Sequence, residues 1–137
     1  MDILNLTALE MSALIDKKEL LPSAIVTETF RKIDTLDNKY NGFITTLHDS
    51  AMEEAKRADT RAISGKRLSV FDGIPIAVKD NICTKGIKTT CGSRMLSDYI
   101  PPYDATAITH LKNAGMIMVV KTNMDEFGMG SCSDTSC

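Results

Sequence analysis

The stretch that decides the fold is Gly73-Ile74-Pro75-Ile76-Ala77-Val78-Lys79-Asp80-Asn81. Residues 74–78 form a continuous apolar run, without the alternation of apolar and polar residues that marks a half-exposed strand. Such a run predicts a strand that is buried on both faces, as in a sheet covered by helices. Lys79 comes directly after this strand, and open α/β sheets place functional groups there because strand ends converge on a crevice.

A helix and a second strand complete the same unit. Residues 104–115 have the pattern of a short helix, with Asp104 as its predicted N-cap and Gly115 as the residue just past its end. Met116-Ile117-Met118-Val119-Val120 follows at once as a second predicted buried strand. This order predicts two parallel strands joined by a right-handed crossover, and therefore an α/β fold.

The chain before this unit is predicted to begin with helices. Thr7 and Glu10 have the spacing of a capping box, in which each residue satisfies a backbone N–H of the other. A longer helix opens near Pro22, carries apolar residues at helical spacing, and ends at Asn41-Gly42.

A short strand and a third helix follow. The segment at 43–47 is β-prone, and Ser50-Ala51-Met52-Glu53 predicts a second capping box, opening a helix to about residue 61. We therefore expect an N-terminal helical region over 1–62, with a short strand near 43–47. Residues 63–137 are expected to begin an α/β core.

Composition narrows the class of protein. The chain has 137 residues, 43% hydrophobic and 25% charged, which excludes a disordered chain and a collagen-like repeat. Sixteen basic against eighteen acidic residues leave no positive surplus to hold a nucleic acid. No apolar run is long enough to cross a membrane, and the start lacks the pattern of a signal peptide. The four widely spaced cysteines predict free thiols and a cytoplasmic location, with an organellar one left open.

The residue pattern by itself indicates few candidates for catalytic or metal-binding groups. Burial of Lys79 would lower its pKa and make it a candidate general base, while the alternative is a lysine that emerges into solvent. Asp125 and Glu126 are adjacent and share no face of a helix or strand, so a charge at a helix N-terminus or loop anchoring is favoured over paired acid–base catalysis. No metal or cofactor site is predicted, because methionines at strand spacing are typical of a core.

Four motifs and one glycine, spaced along the chain, form a combined pattern. In chain order they are Gly73-Ile74-Pro75-Ile76-Ala77-Val78-Lys79-Asp80-Asn81-Ile82, Thr89-Thr90-Cys91-Gly92-Ser93, Pro101-Pro102-Tyr103-Asp104-Ala105-Thr106, Gly115, and Lys121-Thr122-Asn123-Met124-Asp125-Glu126-Phe127-Gly128-Met129-Gly130-Ser131. Together they resemble the amidase-signature family, and within it they are most similar to the glutamine-hydrolysing subunits of tRNA-dependent amidotransferases. The resemblance covers nearly the whole chain.

The resemblance implies a mechanism and a fold. Enzymes of the family use a Ser–cis-Ser–Lys triad, and Lys79 matches its lysine, while Met129, Gly130 and Ser131 match a segment that lines the substrate pocket. The family's serine motifs have no counterpart before residue 137, so we expect the chain alone to be inactive. The resemblance also implies an incomplete fold: N-terminal helices and the first strands of a mixed, helix-covered sheet.

The resemblance also implies partners. Glutamine would be the substrate, and ammonia would pass to a partner B subunit, which binds misacylated Glu-tRNA(Gln) or Asp-tRNA(Asn) and uses ATP and Mg²⁺; a small C subunit would brace the complex. No cofactor is expected in this chain. The alternatives are another amidase-signature amide hydrolase, or a non-catalytic module that docks a partner through its N-terminal helices.

Overall fold

The computed structural model describes residues 3–137. Within these residues, four α-helices and three strands alternate with loops and with short 3₁₀ turns at Ile3–Asn5, Arg94–Leu96 and Glu126–Gly128. In chain order these elements are α1 (Ala8–Asp16), α2 (Pro22–Tyr40), β1 (Phe43–Thr46), α3 (His48–Ile63), β2 (Pro75–Lys79), α4 (Thr106–Asn113) and β3 (Ile117–Thr122). None of the helices in the described part of the chain is long and apolar enough to span a membrane.

The three strands form one mixed sheet with the order β1-β3-β2. The central strand β3 pairs with β2 in parallel and with β1 antiparallel. The predicted α/β class and the predicted parallel pair are therefore confirmed. Helix α4 connects the two parallel strands, and Gly115 follows it with a φ of 82°, in the left-handed region predicted for the residue past a helix end.

The two parallel strands differ in their burial. Ile117, Val119 and Val120 of β3 are buried, as predicted, but Ala77 and Lys79 of β2 are exposed. The prediction that β2 is buried on both faces is wrong for the described chain. The reason is that residues 3–137 leave the face that carries Ala77 and Lys79 uncovered.

Of the two capping boxes predicted from residue spacing, the structure contains one. Thr7 forms the predicted capping box: its backbone N–H donates to Glu10 Oε2 at 2.8 Å, and the Glu10 N–H donates to Thr7 Oγ1 at 3.3 Å. The second capping box is wrong, because α3 begins at His48 and the Ser50 hydroxyl donates to the Leu47 carbonyl instead.

The predicted cap of α4 is also wrong. The helix begins at Thr106 with Ala105 as its N-cap. The Asp104 carboxylate instead accepts hydrogen bonds from the Lys85 backbone N–H and the Lys112 ammonium, each at 2.8 Å. These bonds, together with the nearby positive charges, lower the pKa of Asp104 despite the opposing effect of desolvation. Asp104 therefore ties the loop before α4 to the helix rather than capping it.

The core lies between the long helices and the central strand. Alanines on α3 let α2 approach closely, and both helices pack against β3. The members of this cluster are Val26, Phe30, Ile33, Ala51, Ala55, Ala58, Ile117, Val119 and Val120. A second cluster joins α1 to the start of β2 and comprises Met11, Ile15, Leu20, Ile25, Ala62 and Ile74.

An ion pair fixes the beginning of β2. The Asp72 carboxylate is 1% exposed and accepts from Arg61 Nε at 2.8 Å, Arg61 Nη2 at 2.7 Å and the Leu68 N–H at 2.9 Å. The hydrogen bond from Arg61 to Asp72 raises the pKa of the guanidinium. Gly115 lies against the same carboxylate, since a Cβ there would be 2.2 Å from Asp72 Oδ1. The starts of β2 and β3 are thus held together.

Candidate functional site

The candidate site lies where β2 and β3 end, at the same edge of the sheet. Lys79 is the in-register partner of Thr122, and the Asp80 N–H donates to the Thr122 carbonyl at 3.3 Å. The side chain of Lys79 is exposed and makes no hydrogen bond or ion pair with any residue from 3 to 137. The burial expected for Lys79 is therefore absent in the described chain, because no element covers the end of β2. Its role as a base remains a prediction.

The buried lysine at this edge is Lys121. Its side chain is fully buried, and its ammonium donates to the Ile82 carbonyl at 2.8 Å, to Thr89 Oγ1 at 3.1 Å and to Thr84 Oγ1 at 3.4 Å. Asp80 Oδ1 lies 3.7 Å from Lys121 Nζ, so the two form a buried ion pair. Desolvation lowers the pKa of Lys121, and the charge of Asp80 opposes that effect.

The Asp80 carboxylate organises the next loop. Its Oδ2 accepts from the Thr90 N–H at 2.8 Å and from the Thr90 hydroxyl, and its backbone carbonyl accepts from the Cys91 N–H at 3.0 Å. Oδ1 has no hydrogen-bond partner in the described structure, since 3.7 Å to Lys121 Nζ is too long for one. Burial raises the pKa of the nearby Cys91 thiol, which makes it a poor nucleophile.

The segment after β3 is anchored by Asp125. Its Oδ1 accepts from the Thr135 hydroxyl at 3.0 Å. Hydrogen bonds to this carboxylate, that from the Ser133 backbone N–H above all, lower the pKa of Asp125. Gly130 packs so closely that a Cβ there would lie 2.2 Å from Asp125 Cγ. The predicted anchoring role of Asp125 is confirmed, and it shapes the turn that carries Met129, Gly130 and Ser131, all of which are exposed.

Loop 90–93, which follows β2 in the chain, is hydrogen-bonded to the segment after β3. The Phe127 N–H donates to the Cys91 carbonyl at 2.9 Å, and the Cys137 N–H donates to the Gly92 carbonyl at 3.1 Å. The Ser93 hydroxyl donates to Glu126 Oε1 at 2.6 Å. The stretch after β2 and the stretch after β3 therefore meet through one loop, although no hydrogen bond joins the Lys79 side chain to residues 129–131.

A comparison with known proteins identifies the family. The family profile named Amidase matches residues 24–137. The chain belongs to the amidase family. The A subunit of the glutamyl-tRNA(Gln) amidotransferase from Lachnoclostridium phytofermentans is 47% identical over 137 residues, which are 99% of this chain and 28% of that protein. The corresponding protein from Moorella thermoacetica is 42% identical over 136 residues, which are 99% of this chain and 28% of that protein. The chain thus spans about 28% of the length of these relatives.

Solved structures share the amidase fold. A native peptide amidase from Stenotrophomonas maltophilia superposes with a TM-score of 0.82 and 27% identity, over 88% of this chain and 25% of that one. The A subunit of the glutamyl-tRNA(Gln) amidotransferase from Thermotoga maritima superposes with a TM-score of 0.64 and 32% identity, over 84% of this chain and 23% of that one. These matches confirm the predicted α/β class and place the chain as a fragment of an amidase-signature fold.

An apolar groove lies beside the sheet and reaches the middle of β2. It has a volume of about 420 Å³ and lies between α2 and β2, with Leu36, Tyr40 and Ala77 among its lining residues. Neither Lys79 nor any of residues 129–131 lines it. The described residues bring together no group of three side chains able to hold a metal ion.

Sequence reasoning missed the buried pair of Asp80 and Lys121 in this amidase chain. Simple alternation gave no signal, because the register of β3 against β2 shifts by one residue between Met118 and Val120 and places Lys121 on the face of Val78. The predicted strand ended at Val120, whereas β3 continues to Thr122. Lys121 therefore faces inward, where a lysine is rarely found unless it is paired.

Proposed function

We propose that this chain is the N-terminal part of the glutamine-hydrolysing subunit of a tRNA-dependent amidotransferase, with Lys79 as the general base. The observation that supports it is similarity along 99% of the chain, at up to 47% identity, to proteins named as the A subunit of glutamyl-tRNA(Gln) amidotransferase. A family match alone would support only an amide hydrolase.

In this proposal, Lys79 acts on serines in the rest of the subunit. Neutral Lys79 accepts, through the bridging cis-serine, the proton of the nucleophilic serine, whose oxygen forms a bond to the amide carbon of glutamine. The C–N bond then breaks, the nitrogen takes up the proton, and ammonia leaves. Water hydrolyses the ester to glutamate and restores the serine. The covering of Lys79 by the rest of the subunit would supply the desolvation that keeps it neutral.

The partner subunits belong to the same proposal. Ammonia would pass to a B subunit that binds misacylated tRNA and uses ATP and Mg²⁺, and a C subunit would brace the two. The nearly balanced charge of this chain, with 16 basic and 18 acidic residues, supports placing the tRNA on the partner.

The test uses a hybrid subunit, in which residues 1–137 replace the matching segment of the Lachnoclostridium phytofermentans protein, purified with its partner subunits. We expect glutamine-dependent ammonia release, lowered about 10⁴-fold in kcat by Lys79→Ala, because a triad without its base keeps only residual catalysis. Lys66→Ala, at another exposed lysine, is the control and should leave kcat unchanged. Full turnover in the Lys79→Ala hybrid would reject the assignment. The 137-residue chain alone should release no ammonia.

A second candidate is an amidase-signature hydrolase that acts on another amide. It is favoured by the higher TM-score to the peptide amidase, 0.82 against 0.64 for the Thermotoga subunit. Parallel assays of the hybrid subunit with glutamine and with a C-terminal peptide amide separate the two. Hydrolysis of the peptide amide alone would favour the second candidate, and binding of partner subunits without any hydrolysis would favour a docking module.

A further inference from the structure

The turn that follows Lys79 is held by the buried ammonium of Lys121. The Lys79 carbonyl accepts from the Ile82 N–H at 3.0 Å, and the Ile82 carbonyl accepts from Lys121 Nζ at 2.8 Å. Two consecutive hydrogen bonds therefore connect the backbone of the candidate base to the ammonium. The same ammonium also holds Thr84 and Thr89, so it fixes the loop on both sides of the turn.

The two lysines lie on opposite faces of the sheet. Val78 is in register with Lys121, and Lys79 is in register with Thr122. Residues in register on neighbouring strands project from the same face, whereas successive residues on one strand alternate. The burial agrees, because Val78 and Lys121 are buried and Lys79 is exposed. Lys121 can therefore act on Lys79 only through the backbone.

The stability of the fold does not explain why a charged residue stands at position 121. A buried ion pair is costly to desolvate, and well-packed apolar side chains of similar size often give equal or greater stability. Lys121 and Asp80 instead make directional hydrogen bonds to the loop after β2. The Lys121 ammonium donates to three oxygens in the segment 82–89, and the Asp80 carboxylate accepts from Thr90. Directional bonds of this kind fix the path of the chain where Lys79 leaves the sheet.

We propose that Asp80 and Lys121 are positioning residues that fix the direction in which Lys79 leaves the end of β2. The pair serves turnover rather than substrate affinity. This inference rests on the proposed function, because it assumes that Lys79 is the general base. The reason for expecting a large effect is that a displacement of about 1 Å at a reacting group can cost about 100-fold in rate.

The test is the Lys121→Met substitution in the hybrid subunit. We expect kcat for glutamine hydrolysis to fall about 100-fold, with the KM for glutamine within about threefold of the parent, because substrate contacts remain. The matched control is Arg61→Met, which breaks the ion pair with Asp72 at the other end of β2. That control should lower thermal stability but leave kcat unchanged, which separates positioning from general destabilisation.

A second variant covers the case in which Lys121→Met fails to fold. Thr89→Val keeps the shape of the side chain and removes one acceptor of the Lys121 ammonium, and should lower kcat about fivefold. In either variant we also expect faster deuterium exchange at the Ile82 amide, a readout that does not depend on activity.

The failures are distinguishable. Unchanged kcat in both Lys121→Met and Thr89→Val, beside an inactive Lys79→Ala hybrid, would overturn the positioning role and leave the proposed function in place. Equal loss of kcat in Lys121→Met and Arg61→Met would also overturn it. Full turnover in the Lys79→Ala hybrid would overturn both, and unchanged exchange at Ile82 would refute the structural link regardless of turnover.

Discussion

Replacing Asp72 by asparagine tests the ion pair that holds the start of β2. Asparagine keeps the shape of the side chain, so no cavity forms, but it removes the charge and turns one acceptor into a donor. The carboxylate is 1% exposed and accepts three hydrogen bonds, from Arg61 Nε at 2.8 Å, Arg61 Nη2 at 2.7 Å and the Leu68 N–H at 2.9 Å. The substitution therefore leaves a guanidinium without its counter-charge in a closed environment.

The cost follows from that geometry. Breaking one partner of a buried pair costs about 3–5 kcal/mol, and we take the lower end because the Arg61 side chain is 24% exposed and part of its charge can be hydrated. A loss of about 3 kcal/mol corresponds to a fall of about 10 °C in Tm for a chain of this size. For a typical slope of about 2 kcal/mol per M urea, the same loss corresponds to a fall of about 1.5 M in the urea concentration at the unfolding midpoint.

The assay is urea unfolding of the 137-residue chain, followed by circular dichroism. The matched control is Asp98→Asn, the same change in a carboxylate that is 90% exposed and paired with Lys88 on the surface. Solvent and salt screen such a pair, so the control should unfold at the midpoint of the parent. If Asp72→Asn shifts the midpoint no further than Asp98→Asn, at an unchanged slope, the buried pair does not hold β2 and our reasoning fails.

Three further outcomes follow from other contacts. Gly115→Ala should lower the free energy of unfolding by about 2 kcal/mol or more, because φ is 82° there and a Cβ would lie 2.2 Å from Asp72 Oδ1; an unchanged urea midpoint would contradict this. Gly130→Ala should displace the loop at 130–135, because its Cβ would lie 2.2 Å from Asp125 Cγ, and faster amide exchange at Ser133 would report it. The pKa of Asp125 is lowered from 3.8, so its charged form stabilises this loop above that pH and the contribution is lost as pH falls below it. Loop amides that exchange no faster below pH 3.8, once the intrinsic pH dependence of exchange is removed, would contradict the last prediction.

The elements that depend on neighbouring residues were predictable from the sequence. The capping box at Thr7 and the turn at Gly115 are local, because their partners lie within a few residues. The apolar run at 116–120 also predicted β3, since a central strand is buried whichever element covers it.

Elements that depend on distant partners were not predictable in the same way. The spacing around Asp104 fits an N-cap, but Lys85 lies nineteen residues before it and offers its backbone N–H instead. The exposure of Lys79 depends on what covers the end of β2, which cannot be read from residues 74–81. The burial of Lys121 depends on an irregularity between strands, because the register of β3 against β2 shifts by one residue between Met118 and Val120.

The open edge of β2 has a consequence for handling the isolated chain. An edge strand presents unpaired N–H and C=O groups, and such a row is a template for strand-to-strand association between molecules. Two residues of β2 resist this: Pro75 has no N–H to donate, and the exposed charge of Lys79 repels a second copy brought alongside. Removing the lysine charge therefore favours aggregation of the isolated chain, independently of any effect on chemistry.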